Sequence, residues 1–249
     1  MAFYQFLALF PSLLVFLVIS ARMPNAEWRL RTSLQDLSGQ VLPAQVAQLF
    51  ERIINELNGR TFSGLQLTSV CAGTLWAVFN GTWAMIYGLN RAYEVQENRS
   101  WRNLAALIPG LTFAIALAAG SAVLVIFYSA NLRMSFPQAA IAIRIAEWLI
   151  LLAILSLAFA VLYRFAPNLR DREWRWSTPG ALFALILWLG ATVAARIYFD
   201  HINNYSRVYG HLNGVAMLLL WLYLTNGAIL IGGEMNSEIE KAAARLNSP

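Results

Sequence analysis

The sequence predicts an all-α, polytopic membrane bundle of six transmembrane helices. Of its 249 residues, 59% are hydrophobic and only 12% are charged, and the mean hydropathy is +0.55. A soluble domain carries roughly 25% charged residues, because its surface must face water. Six stretches approach the ~20 apolar residues needed to cross a bilayer core. They are interpreted as helices, because an open strand edge would leave unpaired backbone groups in lipid.

The predicted spans belong to a single integral-membrane domain, residues 1–249. They cover about residues 3–20, 65–89, 104–130, 145–165, 179–199 and 212–233. Pro11 lies in the first span, where a membrane helix tolerates proline if neighbours take up the freed carbonyl. A cleaved signal peptide is the alternative for this span. The first six residues carry no basic side chain, however, and no small-x-small cleavage site follows.

The long loop between the first two spans contains an amphipathic segment. Its apolar residues recur at helical spacing and predict one buried face that caps the bundle. They are Val46, Leu49, Phe50, Ile53, Ile54 and Leu57.

Positive charge is dense in two short loops, residues 90–103 and 163–178. In the predicted topology nine basic residues lie on the side of these two loops and nine on the opposite side. On the opposite side they are spread through a long loop or flank helices. Because the positive-inside rule depends on charge near span ends in short loops, these two loops are predicted to be cytoplasmic, as are both termini. The Arg and Trp residues of 163–178 are explained by contact with anionic lipid, so no nucleic-acid partner is expected.

Small residues recur every fourth position in the second and third spans. Such faces let helix backbones approach closely and predict tight packing there. They are Gly73, Ala77 and Gly81, and Gly110, Ala114, Ala118 and Ala122.

The residue types argue against an enzyme. The two histidines, His201 and His211, have Asp200 as the nearest acid, and no H-x-H-x-D-H or H-E-x-x-H pattern is present. Metal-dependent hydrolysis needs a cluster of such ligands, so no metal site and no cofactor are expected. No G-x-x-x-x-G-K-[ST] pattern is present either, so any transport would be passive, ion-coupled or driven by a partner.

Charged residues within spans are the stronger indication of function, because burying one in hydrocarbon costs at least about 2.5 kcal/mol. Arg144 and Glu147 share one helical face, as do Arg196 and Asp200. Each pair is interpreted either as an interfacial ion pair that fixes helix depth or as part of a polar pathway. We expect Arg196 to lie within the bundle, so Arg196→Ala should impair function more than Arg172→Ala.

Span six ends at Gly232 and Gly233 in this interpretation, with Glu234 beside them. A carboxylate near a helix C-terminus is unfavourable to the helix dipole, so Glu234 is expected to face water or a partner. Asn80 and Asn226 need hydrogen bonds in lipid and are expected either to join helices or to line a cavity.

The loop after span five carries the most functional-looking segment. Its phenols, amide and guanidinium lie beside a glycine that allows a tight turn, and together they suit a phosphate or carboxylate headgroup. The alternative is a structured loop whose tyrosines anchor at the interface. The candidate ligand-binding residues are Arg196, Asp200, Asn204, Tyr205, Arg207, Tyr209 and Glu234, with Pro11, Gly210, Gly232 and Gly233 in structural roles.

Three ordered segments resemble the YihY/BrkB family of bacterial inner-membrane proteins. They are AFYQFLALFPSLL at the start, LYRFAPNLRDREWRWSTPGALFALILW, and NNYSRVYGHLNGVAMLLLWLYLTNGAILIGGEMNSEIE from Asn203 to Glu240. Two departures are visible: the family's second glycine in YG-x-L-G is Asn213 here, and Met1 directly precedes the first span, which is consistent with a truncated start. The resemblance implies a multi-pass inner-membrane protein with a small-residue turn after the last span. The family's former name, ribonuclease BN, is regarded as mistaken.

Three functions are therefore compared. The leading one is a transporter or exporter of a small or amphipathic solute, with its site among spans four to six and the loop after span five. The second is a lipid-binding or envelope-maintenance protein, and the third, ranked last, is a membrane-bound ribonuclease. Membrane lipids are the expected partners, and the oligomeric state is left open.

Overall fold

The computed structural model describes residues 1–9, 63–169, 178–201 and 212–247. All regular elements in these ranges are helical, and no strand occurs in them. Residues 2–9 form an N-terminal helical segment. The long helices that follow are α1 (Gly64–Ala92), α2 (Trp101–Ser135), α3 (Ala140–Phe165), α4 (Thr178–His201) and α5 (Leu212–Asn247). A 3₁₀ turn, Pro137–Ala139, joins α2 to α3.

Local signals in the sequence set the starts of α1 and α2. Ser63 and Gln66 form a capping box, in which the Gln66 side chain accepts from the Ser63 amide at 2.9 Å. Ser100 caps α2 through its side chain, which accepts from the Asn103 amide. Each cap satisfies amides that the first helical turn leaves without an intrahelical partner. Between these helices Glu94 adopts φ 55°, the left-handed conformation that reverses the chain.

The helices are longer than the predicted spans. The small-residue turn expected after the last span is wrong, because Gly232 and Gly233 lie within α5, which continues to Asn247. Residues 234–247 are rich in good helix formers, and Lys241 pairs with Glu238 one turn earlier at 2.9 Å. Past Gly233 the chain thus keeps its helical form as a polar extension.

Four helical stretches in the described residues are long and apolar enough to cross a membrane. They are Trp101–Ser135, Pro137–Phe165, Pro179–Tyr198 and Gly214–Ala243. α1 has 29 residues, which is long enough to cross a membrane, but its Thr, Asn and Gly residues make it less apolar than these four stretches. The predicted first span is described only up to residue 9, and Pro11 and the amphipathic segment of 46–57 lie outside the described residues. The described residues thus supply four candidate spans, which agrees with a multi-pass membrane protein.

The core lies where α1, α3, α4 and α5 meet. Leu89, Tyr163, Ala181 and Ala184 have no exposed surface there, and Ile229 keeps only 3%. The N-terminal segment packs beside this core, with Ala2, Phe6 and Leu9 against α5. The outward faces of α2 and α3 are exposed, as expected for surfaces whose solvent is lipid.

Candidate functional site

Helices α4 and α5 approach each other closely at Gly180 of α4 and Gly232 of α5. A Cβ added at Gly232 would lie 2.5 Å from the Tyr163 hydroxyl and 2.6 Å from the Ala184 Cβ, distances that real Cβ atoms essentially never show. Only glycine fits at this crossing, which is how small residues let membrane helices associate. The four-residue stripes that were expected to do this do so only in part: Gly73 and Gly110 would meet nothing within 4 Å.

Two hydrogen bonds flank the crossing along α5. The Gly180 amide donates to Asn236 Oδ1 at 2.9 Å, and the Tyr163 hydroxyl donates to the Ile229 carbonyl at 2.7 Å. Both bonds are buried, where an unpaired polar group would be costly. They tie α3 and α4 to α5 and fix the depth of these helices relative to one another.

Halfway along the same interface, two tryptophans and two threonines bond reciprocally. Trp188 Nε1 of α4 donates to Thr225 Oγ1 of α5, and Trp221 Nε1 of α5 donates to Thr192 Oγ1 of α4, each at 3.2 Å. The two indoles meet edge to face, with centroids 6.2 Å apart. The register of these contacts is antiparallel, so α4 and α5 form one rigid pair from end to end.

A cavity of about 390 Å³ opens beside this pair. Its walls are Leu187 and Ala191 of α4, the α5 residues between Tyr223 and Ile231, and Met1 and Ala2 of the N-terminal segment. Leu187 and Ala191 lie near the middle of the apolar stretch Pro179–Tyr198, which places the cavity deep in the membrane-spanning region. Its volume falls in the range of small-molecule sites, roughly 300–1,000 Å³.

Asn226 is the principal polar group of the cavity wall. Its side chain is buried, and its Nδ2 donates to Gln5 Oε1 and to the Leu222 carbonyl, both at 2.7 Å. Its Oδ1 is buried and accepts no hydrogen bond from any residue the structure describes. Asn226 therefore joins α5 to the N-terminal segment and also borders the cavity, which unites the two roles expected for it. Among the described residues, Asn80 donates within α1, to the Trp76 carbonyl.

The other residues of the cavity wall are mostly apolar. Among the residues that line the cavity none has a charged side chain, and the floor residue Ala228 is 4% exposed. Tyr223 and Ile231 are 69% and 48% exposed, so the rim of the cavity reaches the outer surface of the bundle. Such a site can hold an apolar body and orient it through one amide.

A second polar cluster lies at the end of the bundle where α1 and α3 terminate. Arg99 Nε donates to Asn168 Oδ1 at 3.2 Å, and its Nη2 donates to the Ala166 carbonyl at 3.1 Å. Asn90 closes the network by donating to Glu97 at 2.8 Å and accepting from the Asn168 amide at 2.8 Å. Arg99 was expected only to add positive charge to the loop of residues 90–103, and this network was not predicted. Its bonds join that loop to the segment after α3 and hold the two together.

Tyr93 caps α1 next to this network. Its side chain is 4% exposed, and burial, followed by the nearby Glu240 carboxylate, raises the pKa of its hydroxyl well above the ordinary value. The hydroxyl therefore stays protonated across the physiological range and acts as a neutral part of the core.

The predicted pairing of Glu147 with Arg144 is wrong. Glu147 is 5% exposed and accepts from Arg133 Nη1 of α2, while Arg144 is exposed on α3. Arg133 also donates to Ser129 Oγ at 3.4 Å. The cause is the α2–α3 hairpin, which brings residues 14 apart into contact, whereas the spacing of charges along one helix cannot indicate a partner on another.

The residues predicted to bind a ligand are not brought together at this cavity. Arg196 is exposed, so the expectation that it lies within the bundle is wrong. Glu234 is also exposed, and it lies thirteen residues before the end of α5 rather than at a helix terminus. Gly232 and Gly233 are buried at the helix crossing. The Asp200 side chain and Asn204, Tyr205, Arg207, Tyr209 and Gly210 lie outside the described residues.

Comparison with known proteins places this architecture in a family. The family described as "Virulence factor BrkB" matches residues 1–249. The chain belongs to the BrkB family. The resemblance seen in the sequence is thereby confirmed, and with it the identification as a membrane protein. No solved structure matches the chain.

Curated relatives of this BrkB-family chain carry two kinds of name. It is 31% identical over 254 residues to the "Putative ribonuclease-like protein YfkH" of Bacillus subtilis, covering 97% of this chain and 88% of the relative. It is 32% identical over 79 residues to a "UPF0761 membrane protein" of Tolumonas auensis and to one of Pseudoalteromonas translucida, covering 32% of this chain and 26% of each relative. The chain thus spans about a quarter of these two membrane proteins.

Within the described ranges of this BrkB-family chain, no group of three or more His, Cys, Asp or Glu residues could hold a metal ion. The side chains of His201 and His211 lie outside those ranges. The expected absence of a metal site and of a cofactor stays a prediction.

Proposed function

We propose that this BrkB-family protein is a transporter or exporter of an amphipathic solute, and that the cavity between α4, α5 and the N-terminal segment is its binding site. The protein acts as a six-span bundle of the bacterial inner membrane, with both termini in the cytoplasm. It carries no enzymatic activity, because its sequence offers no catalytic set of His, Asp or Glu residues.

The observation that carries the proposal is the cavity of about 390 Å³, with a buried asparagine in its wall, at mid-depth in an apolar region. Membrane helices normally close such gaps, since their association depends on close packing. Here α4 and α5 pack tightly on one side while Gly227 leaves space on the other: a Cβ at Gly227 would meet nothing within 4 Å.

Two glycines provide a matched test of the cavity. Gly227 lines the cavity, whereas Gly190 lies on an exposed face of α4 outside it, and a Cβ at either would meet nothing within 4 Å. Gly227→Leu should fill the cavity, and Gly190→Leu should add the same side chain on the outer surface. Both remove a helical glycine, so their intrinsic effects on helix stability are alike.

The experiment is a flux assay in proteoliposomes with three amphipathic dyes of different charge: rhodamine 6G, 1-anilinonaphthalene-8-sulfonate and N-phenyl-1-naphthylamine. We expect at least one dye to cross faster than in protein-free vesicles, Gly227→Leu to reduce this rate at least fivefold, and Gly190→Leu to leave it unchanged. Equal rates for the two variants would remove the cavity from the pathway. No protein-dependent rate for any dye would overturn the transport proposal.

Native mass spectrometry of the gently solubilised protein separates transport from stable lipid binding. A transporter should release its solute during delipidation. A single lipid retained at fixed stoichiometry, and lost in Gly227→Leu, would instead support the lipid-binding function and replace the proposal.

A further inference from the structure

We infer that the cavity selects a neutral amphiphile with one hydrogen-bond donor, such as a long-chain alcohol or amine in its uncharged form, and receives it from the bilayer. This inference rests on the proposed function and names the substrate class of the same site.

The first step is the absence of charged side chains in the wall. Within the cavity lining, the polar side chains are those of Asn226 and Tyr223, and all others are apolar. A carboxylate or phosphate placed there would be desolvated without a charged side chain to pair with, and such desolvation costs several kcal/mol even after relaxation. The charged headgroup expected from Arg196, Tyr205 and Arg207 is therefore unsuited to this cavity.

The second step is the state of the Asn226 amide. Its Nδ2 is fully used by Gln5 Oε1 and the Leu222 carbonyl, while its Oδ1 is buried and accepts nothing from the described residues. An amide oxygen has two acceptor sites, so the group offers an acceptor and no spare donor. Oδ1 exposes less than 1 Å², so a ligand reaches it when neighbouring side chains of the wall move aside, which leaves both Nδ2 bonds in place. The amide thus favours a ligand that donates.

The third step is the route of entry. Tyr223 and Ile231 at the rim are exposed on the outer face of α5, within the apolar stretch Gly214–Ala243. The rim thus faces lipid, and a molecule enters by partitioning into the bilayer first. The exposed Tyr223 ring lies at that rim and is placed to contact the ligand as it enters.

The test uses three photoactivatable probes that share a twelve-carbon, diazirine-bearing chain and differ in the head: a primary alcohol, its methyl ether and a carboxylic acid. The full chain is reconstituted in nanodiscs and irradiated, and labelled peptides are quantified by mass spectrometry. We expect the alcohol to label the cavity about fivefold more than the ether, the ratio corresponding to one neutral hydrogen bond. The acid, at neutral pH, should label it least.

Variants assign the preference to one group. Asn226→Leu should abolish the difference between alcohol and ether, whereas Asn80→Leu, the same change on α1 away from the cavity, should preserve it. Gln5→Leu keeps Oδ1 but frees one Nδ2 hydrogen that can donate to an ether oxygen, so the ether should gain labelling and the preference should narrow. The wild-type comparison of alcohol with ether decides the question even where Asn226→Leu fails to fold.

The outcomes separate the two proposals. Equal labelling of the wild type by alcohol and ether, stronger labelling by the acid, or an unchanged preference in Asn226→Leu would overturn the substrate class and leave the cavity as a binding site. An absence of cavity labelling by all three probes would overturn the proposed site itself.

Discussion

The α4–α5 pair and the α2–α3 hairpin are both long, apolar and antiparallel, yet they are held together in different ways. One third of the apolar stretch is buried in each of α4 and α5 (33%), against 11% in α2 and 17% in α3. The α4–α5 pair combines a glycine crossing, an asparagine contact and two tryptophan–threonine bonds. In the hairpin, the described polar link between the two helices is the Arg133–Glu147 pair near the connecting turn.

The difference indicates which helices form the fixed frame and which face lipid. Without a hydrophobic driving force inside the membrane, helices associate through close packing and polar contacts. α4 and α5 have both between Gly180 and Thr192 of α4 and between Trp221 and Asn236 of α5, and so supply a tightly packed wall for the cavity. α2 and α3 turn Phe113, Leu157 and similar side chains outward, and these require only lipid as a neighbour.

The largest expected effect comes from filling the glycine crossing. Gly232→Leu should destabilise the protein by about 3 kcal/mol, the upper end of the usual cost of overpacking, because the added Cβ alone would lie 2.6 Å from the Ala184 Cβ. Thermal unfolding in detergent measures the change. Gly190→Leu, on an open face of α4, is the control and should unfold like the wild type. Equal stability of the two variants would contradict the tight α4–α5 frame.

The hairpin should be most sensitive at its ion pair. Glu147→Leu leaves Arg133 without its carboxylate and should cost about 2 kcal/mol, less than for a fully buried pair because the Arg133 side chain is 26% exposed. The double variant Arg133→Leu/Glu147→Leu removes both charges and should recover most of the loss. Stability curves of the wild type, two single variants and the double variant give the coupling. Additive losses would mean that the pair does not hold the hairpin.

A smaller effect is expected at the hydrogen bond that ties α3 to α5. Tyr163→Phe removes the donor to the Ile229 carbonyl and should cost about 1 kcal/mol, the net value of a single bond. Tyr128 of α2 is 62% exposed, so Tyr128→Phe should change the free energy of unfolding by at most about a third of the Tyr163→Phe cost. If both variants unfold alike, the Tyr163–Ile229 bond does not distinguish the helices around α5 from the α2–α3 hairpin.

The smallest effect concerns the polar extension of α5. Lys241 bonds to Glu94 at 2.8 Å and holds the pKa of that carboxyl below its ordinary value of 4.5. Because the folded-state pKa is depressed, the contact is fully present above pH 4.5 and is lost as the pH falls through the folded pKa. Lys241→Met should raise the pKa of Glu94 toward 4.5. Titration of the Glu94 carboxyl carbon by NMR measures this, and an unchanged curve would show that the extension is not tied to the loop after α1.

Local sequence signals predicted the elements well but not their ends. The stretch from Leu65 to Leu89 became α1, which extends by only a few residues, because Ser63 supplies a capping box and the apolar run ends near the loop. The end of α5 was missed, because the predicted span stopped where hydropathy falls, and a polar helix continues beyond that point. The choice of packing glycines was also missed. Small residues at every fourth position mark a helix face that is able to pack closely. Which helix packs against that face depends on the rest of the fold.

The sequence by itself determined that the chain is a membrane protein built from apolar helices, because hydropathy is a property of the linear chain. Its ordered motifs, which are also linear, determined that it belongs to the BrkB family. The tertiary structure decided which groups meet. It paired Glu147 with Arg133, brought Gly180 onto Gly232 and placed Asn226 between the N-terminal segment and a cavity. These contacts join residues that are up to 221 positions apart in the chain. Spacing along one helix defines a face, and only the packing of helices defines what that face touches.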